Sequence, residues 1–536
     1  MAGVSGGQAG GWDALSCFTF LWAQVMVLQV VKLAHPLFSS DAELHFAVLF
    51  WPVTMASSCL LGVVVPHRIG GTLQLMVVSL IVLLFTGSQS NHVFMDMAVC
   101  LAVLAAFSPS RGRWQAQATH AVRAFLVALY LVTALHKMNS DWDNPRHSCC
   151  TMMLGGVMAL KPVRFLLPIV PMTVAPLMAV LTELAIPALV MLSGRCLPVA
   201  AALGCSFHLV ICQMLSPMSV YPFSLLMAPP YVFLIPDRAA AAMGRLRPWA
   251  AFVVASYGLL CRAWTGFVAD DLGPDESPFE YPAYGAWAPG VVWCNMALTF
   301  LAAAAVWPFH PLEVASVHSV VPTLRGKLLA VGVLLFGLTP YLGIRNHPAL
   351  AMFSNLRTEG GRGNHLFLGD DFDLLGWQRD YVTVHETDIP ALRLAQVDLA
   401  PLFTKATKKA LNASDILQEF WITPPLAAWP YPPTREFRPY SMPFLELRRR
   451  LAPLRARGAT SGKVRYTRTA ARAKLAMPWL WDLLGIENLD ADQVRANLTF
   501  DLASGRDPEL EMPLPWWQAP LARFRTFDVD YSPCRH

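Results

Sequence analysis

Ala124-Phe-Leu-Val-Ala-Leu-Tyr130-Leu-Val-Thr133-Ala-Leu-His136-Lys137-Met-Asn-Ser-Asp141-Trp142 joins an unbroken apolar run to an imidazole, an amine, a carboxylate and an indole. With the residues before it, the run is long enough for a bilayer-crossing helix, and it ends among groups that suit a membrane interface. A lysine on the last turn of such a helix either snorkels toward headgroups as an anchor or takes part in chemistry at the membrane face. What decides between the two is whether other polar groups converge on the same face.

The rest of the chain has a matching character. Its 536 residues are 55% hydrophobic and 14% charged with a mean hydropathy of +0.43, the composition of a polytopic α-helical membrane protein. The net charge of +5 is small for this length, so nucleic acid is not an expected partner. Among 11 cysteines, Cys100, Cys205 and Cys212 lie in apolar runs, whereas Cys149, Cys150 and Cys534 lie in polar stretches open to disulfide formation in an oxidising lumen. No Cys/His spacing reads as a zinc site, and no metal is expected. The first residues lack a basic n-region, so the first apolar run reads as a retained span.

At about 20 apolar residues per crossing, spans are expected at roughly 12–33, 44–66, 70–88, 92–108, 117–137, 165–193, 196–216, 218–236, 248–268, 286–307 and 325–344. That gives about nine to eleven crossings, with 150–160 as a shorter buried or re-entrant helix. A cytoplasmic N-terminus puts the loops holding Arg68, Arg111, Arg195, Arg238 and Arg325 on the cytoplasmic side, as the positive-inside tendency requires. The stretch from His136 to Trp142 and everything after residue 344 then face the lumen. Two sequons, Asn412-Ala-Ser414 and Asn497-Leu-Thr499, agree with a lumenal glycoprotein tail.

From about residue 345 the charges, prolines and aromatics multiply. Residues 1–344 thus read as a multi-pass transmembrane domain and 345–536 as a soluble, strand-containing lumenal domain. Tyr381–His385 and Lys463–Thr467 read as strands, Pro424–Pro433 as a rigid loop, and Tyr440–Leu451 as a helix with a basic face.

Ionisable groups inside spans are costly, and each needs a reason. Asn91-His92 opens a helix on the side where His136-Lys137 closes the next, which sets the two pairs at one depth. Glu183 and His208 lie deeper and are expected to satisfy each other or an arginine, and Asp96 with Arg123 reads as an ion pair. A lysine held in an apolar, partly dehydrated site loses its proton readily and becomes a base near neutral pH.

Ser90-Asn-His92, Ala134-Leu-His-Lys-Met-Asn-Ser-Asp-Trp142, Leu181-Thr-Glu183 with Pro187, Phe207-His208, Tyr221-Pro-Phe, and Met352-Phe-Ser-Asn-Leu-Arg with Asn364-His365 together resemble the vitamin K-dependent gamma-carboxylase family. They also resemble its wider relatives with the horizontally transferred transmembrane (HTTM) domain. The resemblance covers roughly residues 10–370. It implies a multi-pass enzyme of the endoplasmic reticulum membrane, a carbon–carbon lyase and vitamin K epoxidase. Oxidation of vitamin K hydroquinone by O₂ would drive addition of CO₂ to glutamates of secretory proteins. In that scheme Lys137 removes the hydroquinone proton and His92 stabilises the developing oxyanion. Asn91, His136, Trp142, Glu183 and His208 surround the quinone, whose tail lies among membrane lipid. Where the carboxylases carry two consecutive lysines, this chain has His136-Lys137. The different-class alternative is a non-catalytic HTTM protein, transporter- or receptor-like, that binds a lipid or solute. A further alternative is haem held by His92, His136 and His208.

Overall fold

The computed structural model describes residues 12–37, 57–85, 91–144, 148–158, 165, 169, 172–212, 221–245, 282–306, 324–351, 353–358, 363–368, 374–389, 392, 439–456, 461–470, 493–502, 510, 514–515 and 517–528. The expected span at 248–268, the Asn412 sequon and the proline-rich loop lie outside these residues, as does most of the expected 44–66 helix, of which 57–64 is helical.

Apolar sequence becomes a bundle of helices in the first two-thirds of the chain: α1 (Ala14–Leu37), α2 (Ile69–Phe85), α3 (Asn91–Ala105), α4 (Arg111–Lys137), the single turn α5 (Ser140–Asp143), α6 (Cys149–Met158), α7 (Ala175–Leu192), α8 (Cys196–Ile211), α9 (Tyr221–Tyr231), α10 (Pro282–Val306) and α11 (Leu324–Leu338). The longest, α4, has 27 residues, about 40 Å at 1.5 Å per residue. It forms the spine, with α3, α7 and α11 packed around it. Two helices among the described residues, α4 and α7, are long and apolar enough to cross a membrane; the apolar segments Ala14–Val27, Ile69–Leu84, Asn91–Ala105, Cys196–Ile211, Phe223–Leu234 and Cys294–Val306 are shorter.

Within the 165–193 run, α7 begins at Ala175, with Pro176 in its first turn. The 218–236 run is helical to Tyr231 and tightens after Pro229-Pro230 into a 3₁₀ turn, Val232–Leu234. The short helix expected near 150–160 is α6.

Packing inside the bundle depends on small residues and aromatics. Trp22, Trp114, Tyr130 and Tyr231 are fully buried. Gly204 makes room for the Tyr231 ring, since a Cβ there would stand 2.5 Å from it. Outward, Leu177, Met178 and Leu181 on α7 and Leu328, Val331 and Leu335 on α11 are exposed apolar side chains. Arg123 does not pair with Asp96 as expected; its Nε donates to the Phe233 carbonyl at 3.0 Å.

In the C-terminal region five antiparallel strands form a sheet ordered β4-β3-β1-β2-β5: β1 (Asp380–Thr387), β2 (Tyr440–Pro443), β3 (Lys463–Ala470), β4 (Gln493–Asp501) and β5 (Phe527–Asp528). Alternation sends Val382, Val384, Val464 and Tyr466 to one buried face, where Leu447 and Leu451 of α12 (Phe444–Ala456) cover them. The helix expected from Tyr440 therefore starts four residues late, because Pro443 holds Met442 extended. Its basic face is partly internal: Arg449 and Arg450 bind the buried Glu446 at 2.5 and 2.7 Å.

The segment after α11 ties this sheet to the bundle. Asn346 and His347 donate backbone N–H groups to the Arg523 carbonyl, and the Arg345 guanidinium lies over the Phe94 and Phe336 rings.

Candidate functional site

The C-terminal end of α4 is roofed by residues 345–351, 353–358 and 363–368, and asparagines do the fastening. Asn139 Nδ2 donates to the carbonyls of His136 (2.8 Å) and Ser354 (2.7 Å), while its Oδ1 receives the Trp142 N–H at 2.9 Å. Asn364 donates to Asp141 and to the Asn355 carbonyl, and Asn355 Oδ1 receives the Cys149 N–H. His365 Nε2 donates to the Leu135 carbonyl at 3.0 Å, and Arg357 pairs with Asp141 at 3.1 Å. Ser354, Asn355, Arg357, Asn364 and His365 thus fasten their segments across the helix end.

That loop is strained where it meets the cavity. Leu350, Phe353 and Asn355 all have positive φ (60°, 52° and 57°). For leucine and phenylalanine this backbone costs on the order of 1–3 kcal/mol each and persists only where the surroundings enforce it. Asn91 enforces it at Leu350: its Oδ1 receives the N–H groups of Ala349 (2.9 Å) and Leu350 (2.8 Å).

Leu350 and Phe353 close a cavity of about 670 Å³, open mouth included, together with Met95, Thr133, Lys137, Trp142, Cys150, Met153, Ala179, Glu183, Phe207, Ile211 and Phe223. Its walls are apolar and aromatic apart from one charged pair. Lys137 Nζ donates to both carboxylate oxygens of Glu183, at 2.9 and 2.8 Å, and reaches the Thr133 carbonyl at 3.4 Å. It also lies 5.3 Å from the centre of the Trp142 ring. Trp142 is anchored by its own N–H to the Pro176 carbonyl at 3.0 Å. Lys137 and Glu183 are both buried. Pro187, one turn after Glu183, leaves the Glu183 backbone carbonyl without its helical donor.

Of the residues singled out from the sequence, Lys137, Glu183 and Trp142 meet at this wall. Asn91 reaches it through the loop it fastens. His92, half-buried one turn before Met95, does not line the cavity, so the imidazole expected to face Lys137 across the pocket is not there. His136 points the other way, its Nε2 donating to the Gly337 carbonyl at 2.7 Å. His208 lies among other partners than Glu183: its ring nitrogens bond the Tyr130 hydroxyl (2.9 Å) and the Ser224 hydroxyl (3.0 Å), and Tyr130 in turn bonds Tyr231. Both His208 nitrogens and His136 Nε2 are thus engaged by protein groups.

Cys149 is disulfide-bonded, and Cys150 is a free thiol in the cavity wall. Leu350, Phe353 and Cys150 carried no individual sign in the sequence of facing a site. Compared with known proteins, the chain matches no family model, no curated protein and no solved structure.

Proposed function

We propose that the chain is a multi-pass membrane enzyme of the vitamin K-dependent carboxylase type, with the Lys137–Glu183 cavity as the seat of its hydroquinone. The observation that carries this reading is one buried ion pair set into a wall whose other described residues are apolar or aromatic apart from Thr133 and the Cys150 thiol. A planar apolar ring bearing a hydroxyl fits such a wall: the ring lies among Phe207, Phe223 and Phe353, and the hydroxyl meets the only charged groups among the described lining residues. The outward leucines of α7 and α11 favour a lipid surround. The Cys149 disulfide, together with an exposed Asn497 sequon on the edge strand β4, favours an oxidising lumen of the endoplasmic reticulum for this face and the tail.

When bound, the hydroquinone with O₂ supplies a base strong enough for a glutamate γ-C–H, and CO₂ adds to the carbon so exposed. The protein's own residues hold the ring, exclude water and manage the hydroxyl proton at the Lys137–Glu183 pair. Glutamates of secretory proteins are the acceptors in this reading.

The test is vitamin K epoxide formation from the hydroquinone in membranes, with labelled bicarbonate to follow carboxylation. The wild type is expected to form epoxide and Lys137→Ala to lose it. Equal rates would rule out catalysis at this cavity and leave ligand binding without turnover, whereas epoxide without fixed CO₂ would mark an uncoupled relative.

A further inference from the structure

The family resemblance assigns proton removal to a neutral Lys137, but the nitrogen is surrounded by acceptors: Oε1 and Oε2 of Glu183 at 2.9 and 2.8 Å, and the Thr133 carbonyl at 3.4 Å. These are the short contacts of a charge-assisted pair, and the face of Trp142 at 5.3 Å suits a cation. We infer that Glu183 is the group that takes the proton from a hydroxylic ligand, and that Lys137 remains an ammonium throughout and stabilises the anion left behind. This rests on reading the cavity as a site for a lipid-soluble phenol or hydroquinone.

A carboxylate offers about four lone-pair sites. Lys137 uses one on each oxygen, the Thr133 hydroxyl donates to the Tyr130 carbonyl, and Glu183 lines the cavity, so an acceptor position remains for a ligand O–H. The step balances: the ligand O–H bond breaks, an Oε–H bond forms, and the electron pair stays on the ligand oxygen. Lys137 exchanges one anionic partner for another, and the net charge of the site is unchanged. In a low-dielectric wall this matters, because a buried charge stripped of its partner is strongly disfavoured. The other ionisable groups near the pair are the Cys150 thiol, His136, held by Gly337, and the Tyr130–Tyr231–His208 cluster beneath. Glu183 is the one carboxylate among the described lining residues.

The experiment uses the full-length protein in nanodiscs and a 4-nitrophenol carrying a long alkyl chain, whose visible absorption reports its ionisation. The wild type is expected to ionise bound probe at pH values below the probe's own pKa, to a degree that does not change with pH, because no proton leaves the site. On probe binding, its infrared difference spectrum gains the C=O band of a protonated carboxyl. In Glu183→Gln the proton must go to solvent, so binding of the ionised probe falls tenfold for each pH unit of acidification, and the infrared band is missing. Lys137→Met/Glu183→Gln, which removes both charges and leaves none unpaired, binds the probe only as the neutral phenol. Wild-type-like, pH-independent ionisation in Glu183→Gln would make Lys137 the acceptor and overturn the inference. So would a wild-type spectrum without a new carboxyl band, a measurement that needs no variant to fold. Failure of the wild type to bind the probe at all would overturn the cavity reading itself and the inference with it.

Discussion

Gly337→Ala is the sharpest structural perturbation of the bundle beneath the site. An alanine Cβ at this position on α11 would stand 2.2 Å from Cγ1 of Val132, 2.8 Å from Cγ2 and 3.0 Å from Cβ. Carbon atoms prefer roughly 3.5–4.0 Å, so α11 must retreat from α4 or Val132 must turn. Val132 is buried, and a β-branched side chain in a helix has essentially one rotamer. Retreat stretches the 2.7 Å bond from His136 Nε2 to the Gly337 carbonyl and strips a fully buried imidazole of that partner. Overpacking costs about 1–3 kcal/mol and the lost bond about 1–3 more, against about 1 kcal/mol regained from alanine's better helix propensity. The expected loss is therefore about 3 kcal/mol, read by equilibrium unfolding in mixed micelles with near-ultraviolet circular dichroism. Val132→Ala removes both methyls that clash, so the double variant recovers at least ~1 kcal/mol relative to the sum of the singles. A Gly337→Ala protein within about 0.5 kcal/mol of wild type, or effects that simply add, would refute the close approach of these helices.

Three other outcomes follow from particular residues. Asn139→Ala leaves the His136 and Ser354 carbonyls and the Trp142 N–H without their side-chain partner, so residues 349–366 should lose protection in hydrogen exchange, at an expected cost of about 2–4 kcal/mol. Burial first, and then Arg525, Arg450 and Arg523 against the opposing pull of Glu446, push His347 down to about 4 from 6.5. The unfolded chain thus binds the proton first on acidification, and stability is lost as pH falls from about 6.5 to about 4, by up to roughly 3 kcal/mol; exchange protection of residues 345–350 should follow this course and flatten in His347→Gln. Protein made in secretory cells should carry a glycan at the exposed Asn497 that glycosidase removes and Thr499→Ala abolishes; a full-length chain with no such shift would contradict a lumenal tail.

How far the sequence could be read depends on what kind of signal each feature leaves. Long apolar runs betray helices, and the rise in charge and proline near residue 345 betrays a different region. Val382/Val384 and Val464/Tyr466 show strand alternation plainly. Pairings leave less trace. Glu183 and His208 look like partners because each is a lone polar group in an apolar helix, yet the faces that meet are those of α7 and α4, which bring Glu183 to Lys137. His136 and Lys137 are adjacent in sequence but about 100° apart around the helix, so only one enters the cavity. Leu350 and Phe353 could not be foreseen: their left-handed backbone has no glycine to announce it and is held by Asn91 and the asparagine fastenings from elsewhere in the chain. Glu446, buried beside Arg449 and Arg450, takes up part of the basic helix face from within the same helix.

On the proposed function, an apolar hydroquinone sits in the cavity beside Lys137 and Glu183 and covers Cys150. Cys150, a free thiol in its wall, is the built-in reporter. In nanodiscs, a lipid-soluble maleimide should label Cys150, as read by peptide mass spectrometry, and vitamin K hydroquinone should slow that labelling in proportion to occupancy. Lys137→Met/Glu183→Gln, which leaves no charge unpaired, should weaken the protection at least tenfold relative to its own labelling without ligand. Labelling of Cys150 at one rate, whatever the hydroquinone concentration, would mean that the hydroquinone does not bind in this cavity.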